Sequence, residues 1–138
     1  MLTNKKVNPS TTAFFAASIL DTICRLDPNK ITDSVNHRVR ELVAKLKKVS
    51  NTKIKSDNSK KYLEGAIKRS LEIRELSKEI EGLAFKISKL HDKVIMPDVK
   101  NAIHLAKAAA KSALENMKVN KQSLSVLRKD KSALAKLK

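Results

Sequence analysis

The chain has 138 residues, of which 41% are hydrophobic and 3% aromatic, and its formal net charge at pH 7 is +16. This length suits one domain with a hydrophobic core. The two Gly, the three Pro and the lack of alternating β-branched residues argue against a sheet and favour a few long helices. A single cysteine excludes an internal disulfide and a cysteine-based zinc site.

The first half of the chain predicts two amphipathic helices. Ser10 is placed to cap a helix over about residues 11–26, whose apolar side chains form a wide stripe. Asp27-Pro28 marks a break, and apolar residues spaced three and four apart predict a second helix from about 32 to 49. We expect residues 1–9 to form a flexible N-terminus and residues 50–60 to form a polar connector.

The second half predicts longer helices. An apolar stripe predicts a helix near 60–91, and Pro97 with Asp98 fits the first turn of another helix, near 98–120. The alanine-rich face of that helix predicts a close helix–helix contact. The Lys-rich C-terminal segment, residues 125–138, extends a spacing that suits a last short helix through Leu124, Leu127, Leu134 and Leu137. The sequence therefore predicts an all-α fold: one domain over 1–138, a compact bundle of four to five helices.

The positive charge attracts polyanions, so nucleic acid and multiply charged small molecules are candidate partners. Lysine far outnumbers arginine, which is typical of a diffuse field and not of base-specific readout. An A/T-rich genome, whose codons favour Lys and Asn, is an equally good explanation. The apolar run "AFFAASIL" is too short to span a bilayer, so we expect no membrane partner. The lone cysteine fits a reducing compartment, and we expect a cytoplasmic protein.

No catalytic motif can be assembled from the residues alone. There is no Gly-rich phosphate loop and no paired-His metal spacing. His37, His91 and His104 fall on three different predicted helices, where a histidine is usually a surface or interhelical residue. Cys24 lies on the apolar face of the first helix, so we expect it in the core. We expect no metal site.

Asn116 and Asn120 are the exception to this plain helical pattern. Four residues apart, they project from one face of the predicted helix, although asparagine is a poor helix former. Their stretch, "ALENMKVNKQSL", resembles the C-terminal signature of the formiminotetrahydrofolate cyclodeaminase and methenyltetrahydrofolate cyclohydrolase family, Ala-Leu-x-Asn-Val-Arg-Ile-Asn-x-x-Ser-Leu.

Two further stretches resemble the same family, and a third stands at its glycine-rich loop without the glycines. "PDVKNAIHLAKAAAKSAL" is similar to its Ser-Asp-x-Gly-x-Ala segment and places Asp98 on the family aspartate, with Lys100 replacing a glycine. "RSLEIRELSKEIEGLAFKI" resembles the helix that begins Val-Pro-Leu-Glu-Ile. "NPSTT" stands at the family's Thr-Pro-Gly-Gly-Gly-Ser loop, where Pro9 matches and Ser10 replaces a glycine. The resemblance lies mainly over residues 66–124.

The resemblance implies an all-helical homodimer that binds a tetrahydrofolate derivative and opens or closes its methenyl bridge by proton transfer. Asp98 is the implied catalytic residue, and Asn116, Asn120 and Ser10 are the implied ligand-binding residues. The positive surface would attract a folate polyglutamate tail. Because the family glycines are missing, a degenerate relative without catalysis is an alternative.

Two other function classes stay open. One is a non-catalytic basic helical protein that binds RNA, DNA or a ribonucleoprotein, and the other is an obligate partner subunit of another chain. Geometry adds a condition to the folate hypothesis: on an unbroken helix Asp98 and Asn116 would be separated by about 27 Å of rise. A break in the helix or a second subunit would be needed to bring them together.

Overall fold

The computed structural model describes residues 8–26, 30–51, 59–90 and 92–137, without the side chains of residues 133, 134 and 137. This part of the chain contains no strand, which confirms the all-α prediction. Four helices follow one another, within the predicted number of four to five: α1 (Pro9–Leu26), α2 (Asp33–Asn51), α3 (Lys60–Ser88) and α4 (Met96–Leu137). The predicted flexible N-terminus, except its last two residues, the break at Asp27-Pro28, most of the polar connector and His91 lie outside the described residues.

The start of α1 differs from the prediction, because Asn8 and not Ser10 caps the helix. The Asn8 Oδ1 atom accepts hydrogen bonds from the backbone N–H of Ser10 at 3.1 Å and of Thr11 at 3.3 Å. Pro9 occupies the first helical position, where its fixed φ is favourable and its missing N–H costs nothing. Because Asn8 and Pro9 form the helix start, α1 begins two residues before the predicted position.

Ion pairs between the helices define their directions. Lys30 Nζ lies 3.6 Å from Asp92 Oδ2, so the end of α1 lies near the beginning of α4 and the two helices are antiparallel. Lys107 Nζ lies 3.8 Å from Glu81 Oε1, and Arg128 Nη2 lies 3.8 Å from Glu64 Oε1. These two pairs show that α3 and α4 also run antiparallel, in contact along most of the length of α3.

Small side chains form the centre of the bundle, where α1 meets α4. Fully buried alanines on both helices allow their backbones to approach closely, which confirms the predicted alanine contact. Leucine, isoleucine and valine from all four helices surround it. The contributing alanines are Ala13, Ala16 and Ala17 on α1, and Ala102, Ala106 and Ala109 on α4.

Cys24 belongs to this core, as predicted. Its side chain is buried, and burial together with the nearby Asp21 carboxylate raises the pKa of its thiol. A buried thiol that resists ionisation is a poor nucleophile. Cys24 therefore contributes packing to the bundle.

The last part of α4 corrects the prediction of a separate C-terminal helix. The helix continues through residue 120 to Leu137, because the stretch "NKQSLSV" contains neither Gly nor Pro to stop it. Leu124 is buried there and lines a groove together with Ile67 of α3. Beyond Ala113, Leu124 is the one buried residue among the described side chains of α4. The C-terminal half of α4 therefore packs mainly on α3.

An ion pair joins α2 to α3 through Arg38 and Glu79. The Arg38 guanidinium donates from Nε and Nη2 to the two carboxylate oxygens of Glu79, and from Nη1 to Glu41 Oε2 at 3.2 Å. The hydrogen bonds from Arg38 lower the pKa of Glu79. A two-pronged arginine–carboxylate pair also fixes the relative orientation of its helices.

Replacing Glu79 by Gln is expected to lower the free energy of unfolding at pH 7 by about 1 kcal/mol, since the pair is partly exposed. Because folding lowers the pKa of Glu79, its stabilisation is present above the ordinary glutamate pKa and is lost as the pH falls through the folded value. Urea unfolding at pH 7 and pH 3 measures both effects. The difference between the two proteins should shrink at pH 3, and an equal difference at both pH values would contradict the ion pair as its source. Glu75→Gln, at an exposed position on α3, is the control.

Candidate functional site

Asp98, the predicted catalytic residue, lies in the first turn of α4. Its side chain is exposed, and it follows Pro97 at the positively polarised end of the helix. The carboxylate is therefore accessible to a ligand or to another protein chain. The same position also stabilises the helix.

Asn116 and Asn120 lie near the middle of α4, and both side chains are partly buried. Because α4 is unbroken between Met96 and Leu137, Asp98 and Asn116 are separated by about 27 Å of helical rise. They are 18 residues apart, which is about five full turns, so the two side chains project in the same direction. One chain places these groups on one face without bringing them together.

Ser10 is buried at the beginning of α1, where its hydroxyl donates a hydrogen bond to Asn8 Oδ1 at 2.8 Å. Ser10 lies near the N-terminal end of α1, about 24 Å of helical rise from Leu26 at the other end of that helix. Because the other end of α1 adjoins the beginning of α4, Ser10 lies away from Asp98. Asn8 holds Ser10 in place through two hydrogen bonds, and the Asn-Pro pair at the start of the helix is its signal in the sequence.

The face of α4 that carries Asp98 and Asn116 contains no lysine. Residues at spacings of three and four form a band along this face, which we call the lysine-free band. Its members are mostly small or apolar, and two of them are strongly exposed: Val119 at 53% and Val126 at 58%. The lysine-free band consists of Asp98, Asn101, Leu105, Ala108, Ser112, Asn116, Val119, Ser123 and Val126.

Three grooves on the described surface have linings that do not include the predicted site residues. One lies between α3 and the C-terminal half of α4, and has a volume of about 560 Å³. The other two, of about 270 and 370 Å³, lie between α2, the segment before it and α3, around Val35 and Lys86. Asp98 is exposed and the two asparagines are partly buried, outside these three grooves.

The described histidines do not form a catalytic cluster. His37 is exposed on α2, with Nε2 2.9 Å from Glu41 Oε1, and His104 is exposed on α4. Among the residues that the structure describes, no three His, Cys, Asp or Glu side chains are grouped as a metal ion requires. Nor does this part of the chain include a helix with the length and apolarity needed to cross a bilayer.

Comparison with known proteins identifies the family. The family model described as formiminotransferase-cyclodeaminase matches residues 38–138. The match includes Asp98, Asn116 and Asn120, whereas α1 with Ser10 lies before it. No curated protein and no solved structure gives a significant match. Because the family model covers well over half of the sequence, the chain belongs to the formiminotransferase-cyclodeaminase family.

Proposed function

We propose that this protein is a homodimer that binds a tetrahydrofolate derivative between its two subunits and acts on the one-carbon bridge of that ligand. The observation that carries the proposal is the placement of Asp98 and Asn116 on one face of an unbroken helix, inside the segment that matches the folate-related family. Two groups on one face can contribute to one site when a second copy packs against that face in the opposite direction.

The lysine-free band suits such antiparallel pairing. With a two-fold axis near residue 107, Asp98 of one α4 faces Asn116 of the other, and Asn101 faces Ser112. Leu105 and Ala108 then face each other at the centre. An interface of this kind is self-complementary, because each residue pair occurs twice. Apolar side chains at its centre permit close contact, and the absence of lysine avoids repulsion between two strongly basic chains.

The chemistry of the residues fits a one-carbon bridge. Asp98 supplies an exposed carboxylate that can accept or return a proton as the bridge opens or closes. Asn116 and Asn120 supply amides, which can donate to a ring carbonyl and accept from a ring N–H at the same time. The positive surface favours a ligand that carries a polyglutamate tail.

The absence of the family glycines should reduce turnover more than it reduces ligand binding. Ser10, Thr11 and Thr12 begin α1 as helical residues, so no glycine loop brings the backbone close to a ligand here. Binding through Asp98 and the asparagines does not need that loop. In its narrower form, the proposal is that this protein binds folate and turns it over slowly or not at all.

Isothermal titration calorimetry with 5-formyltetrahydrofolate tests the proposal, and the absorbance of methenyltetrahydrofolate reports turnover. We expect one folate per chain. Asn116→Ala is expected to weaken binding by about 10- to 100-fold, as for a lost hydrogen-bonding group in a desolvated site. Gln122→Ala changes an exposed amide outside the lysine-free band of the same helix and should bind normally. No measurable binding by the unmodified protein would refute the proposal.

A further inference from the structure

A row of lysines follows the opposite side of α4 from Asp98 and Asn116. At 3.6 residues per turn, six lysines lie within about 20° of one line along the helix. The first and last are separated by about 54 Å of helical rise. This lysine row consists of Lys100, Lys107, Lys111, Lys118, Lys129 and Lys136, all of them exposed.

A basic groove adjoins the C-terminal half of the lysine row. It is open, has a volume of about 560 Å³ and lies where α4 packs on α3. Three of its lining residues are cationic: Lys121, Arg128 and Lys129. Ser125 and Ser132 add hydroxyl groups at the same place. Cations and hydroxyls together form a surface that suits phosphate oxygens.

Acidic residues beside the lysine row do not neutralise it. Glu81 lies 3.8 Å from Lys107, and Glu64 lies 3.8 Å from Arg128. Within 20° of the line, however, α4 carries no Asp or Glu between Lys100 and Lys136. The positive charge therefore continues along the helix over a distance that far exceeds one small ligand.

We propose that the lysine row and the adjoining groove bind the phosphate backbone of a double-stranded nucleic acid. Lysines act as point charges for phosphates and lack the forked geometry that reads base edges, so binding should not depend on sequence. A duplex is stiff over many times 54 Å and can lie along a long helix without being reshaped.

Other polyanions fit this surface less well. Single strands are usually held by a series of stacked aromatic side chains. The described residues of α4 include none, and Phe85 of α3 gives a single exposed ring near Lys107. An anionic membrane would need apolar side chains along the whole row. The exposed Phe85 of α3 lies near Lys107, but Ser125, His104 and Gln122 are polar neighbours of the other lysines. The lysine row also faces away from Asp98 and Asn116, so this function is independent of the folate site.

Fluorescence anisotropy with two labelled 20-base-pair DNA duplexes of unrelated sequence tests the proposal on the full chain. If all six lysines contact phosphates, affinity should fall by about a thousandfold between 50 and 200 mM salt. A Lys111→Gln, Lys118→Gln, Lys129→Gln triple variant should lose about half of the slope of log affinity against log salt. It should also bind at least tenfold more weakly at 100 mM salt.

A second triple variant tests whether binding depends on the lysine row itself or only on the total positive charge of the protein. Lys61→Gln, Lys68→Gln and Lys86→Gln remove the same charge from exposed positions of α3 that point away from the lysine row. This control should keep nearly all of the affinity. Equal weakening of both triple variants would overturn the proposal, as would tighter binding of a 20-base single strand or of phosphatidylserine vesicles than of the duplexes.

Circular dichroism checks the fold of each variant. If the row triple variant were misfolded, the single variant Lys118→Gln would carry the test, with an expected slope change of about 0.9. An unchanged slope for that variant would also overturn the proposal. The folate titration is a separate measurement, so either function can fail without the other.

Discussion

A heterodimer of one Asp98→Asn chain and one Asn116→Ala chain is expected to bind folate at about half of the wild-type stoichiometry, although each variant homodimer binds weakly. In the proposed antiparallel dimer, each site combines Asp98 from one subunit with Asn116 from the other. The heterodimer then contains one intact site and one site with both changes. Co-expression with two different affinity tags supplies it, and calorimetry with 5-formyltetrahydrofolate counts the sites.

Sites built within one chain would behave differently. Each chain of the heterodimer carries one change, so neither chain could form an intact site and no tight binding would return. A doubly tagged Asp98→Asn homodimer is the matched control, since both of its sites carry the same change. A heterodimer that binds no better than this control would rule out a shared site. Failure to isolate any dimer would rule out the interface itself.

The second large effect is expected in the core, where Ala106→Leu should lower the free energy of unfolding by about 3 kcal/mol. Ala106 is 0% exposed and belongs to the alanine contact between α1 and α4. Added methyl and methylene groups there must push two closely packed helices apart or distort their side chains. That loss is a large part of the 5–15 kcal/mol that typically stabilises a domain.

Ala44→Leu is the control for this substitution. Ala44 is exposed on α2, so the larger side chain meets solvent, and the free energy of unfolding should change by no more than about 0.5 kcal/mol. Urea unfolding followed by circular dichroism measures both variants. Equal stability of the Ala106→Leu and wild-type proteins would show that the alanine contact is looser than the buried surfaces indicate.

Spacing of apolar residues was sufficient to predict where the helices lie, but their boundaries depended on capping residues. Helix α3 begins at Lys60 as predicted, because Ser59 accepts a hydrogen bond from the backbone N–H of Tyr62. Helix α1 began earlier than predicted because the Asn8-Pro9 pair outweighed Ser10. The weak periodicity beyond residue 120 hid the continuation of α4, whose packing partner, α3, is distant in sequence.

The sequence proposes residues for the candidate site, and it does not give their arrangement. The asparagine spacing and the aspartate upstream carried the family resemblance, and the family match over 38–138 confirms that resemblance. Whether Asp98 and Asn116 share a site depends on contacts between chains, which local spacing does not encode. Ser10 was proposed from its position in the resemblance, and its burial at the start of α1 follows from the fold.

The amino-acid sequence alone predicts the all-α class, the strong positive charge and the family. Helical periodicity, charge and motif spacing are all properties of residues close together in the chain. The distribution of charge over the surface required the folded chain. Only an unbroken α4 aligns Lys100, Lys118 and Lys136 on one side and Asp98 with Asn116 on another, since a break would rotate one half of the helix against the other. Packing against α1 and α3 then covers one face of α4 and leaves those two exposed.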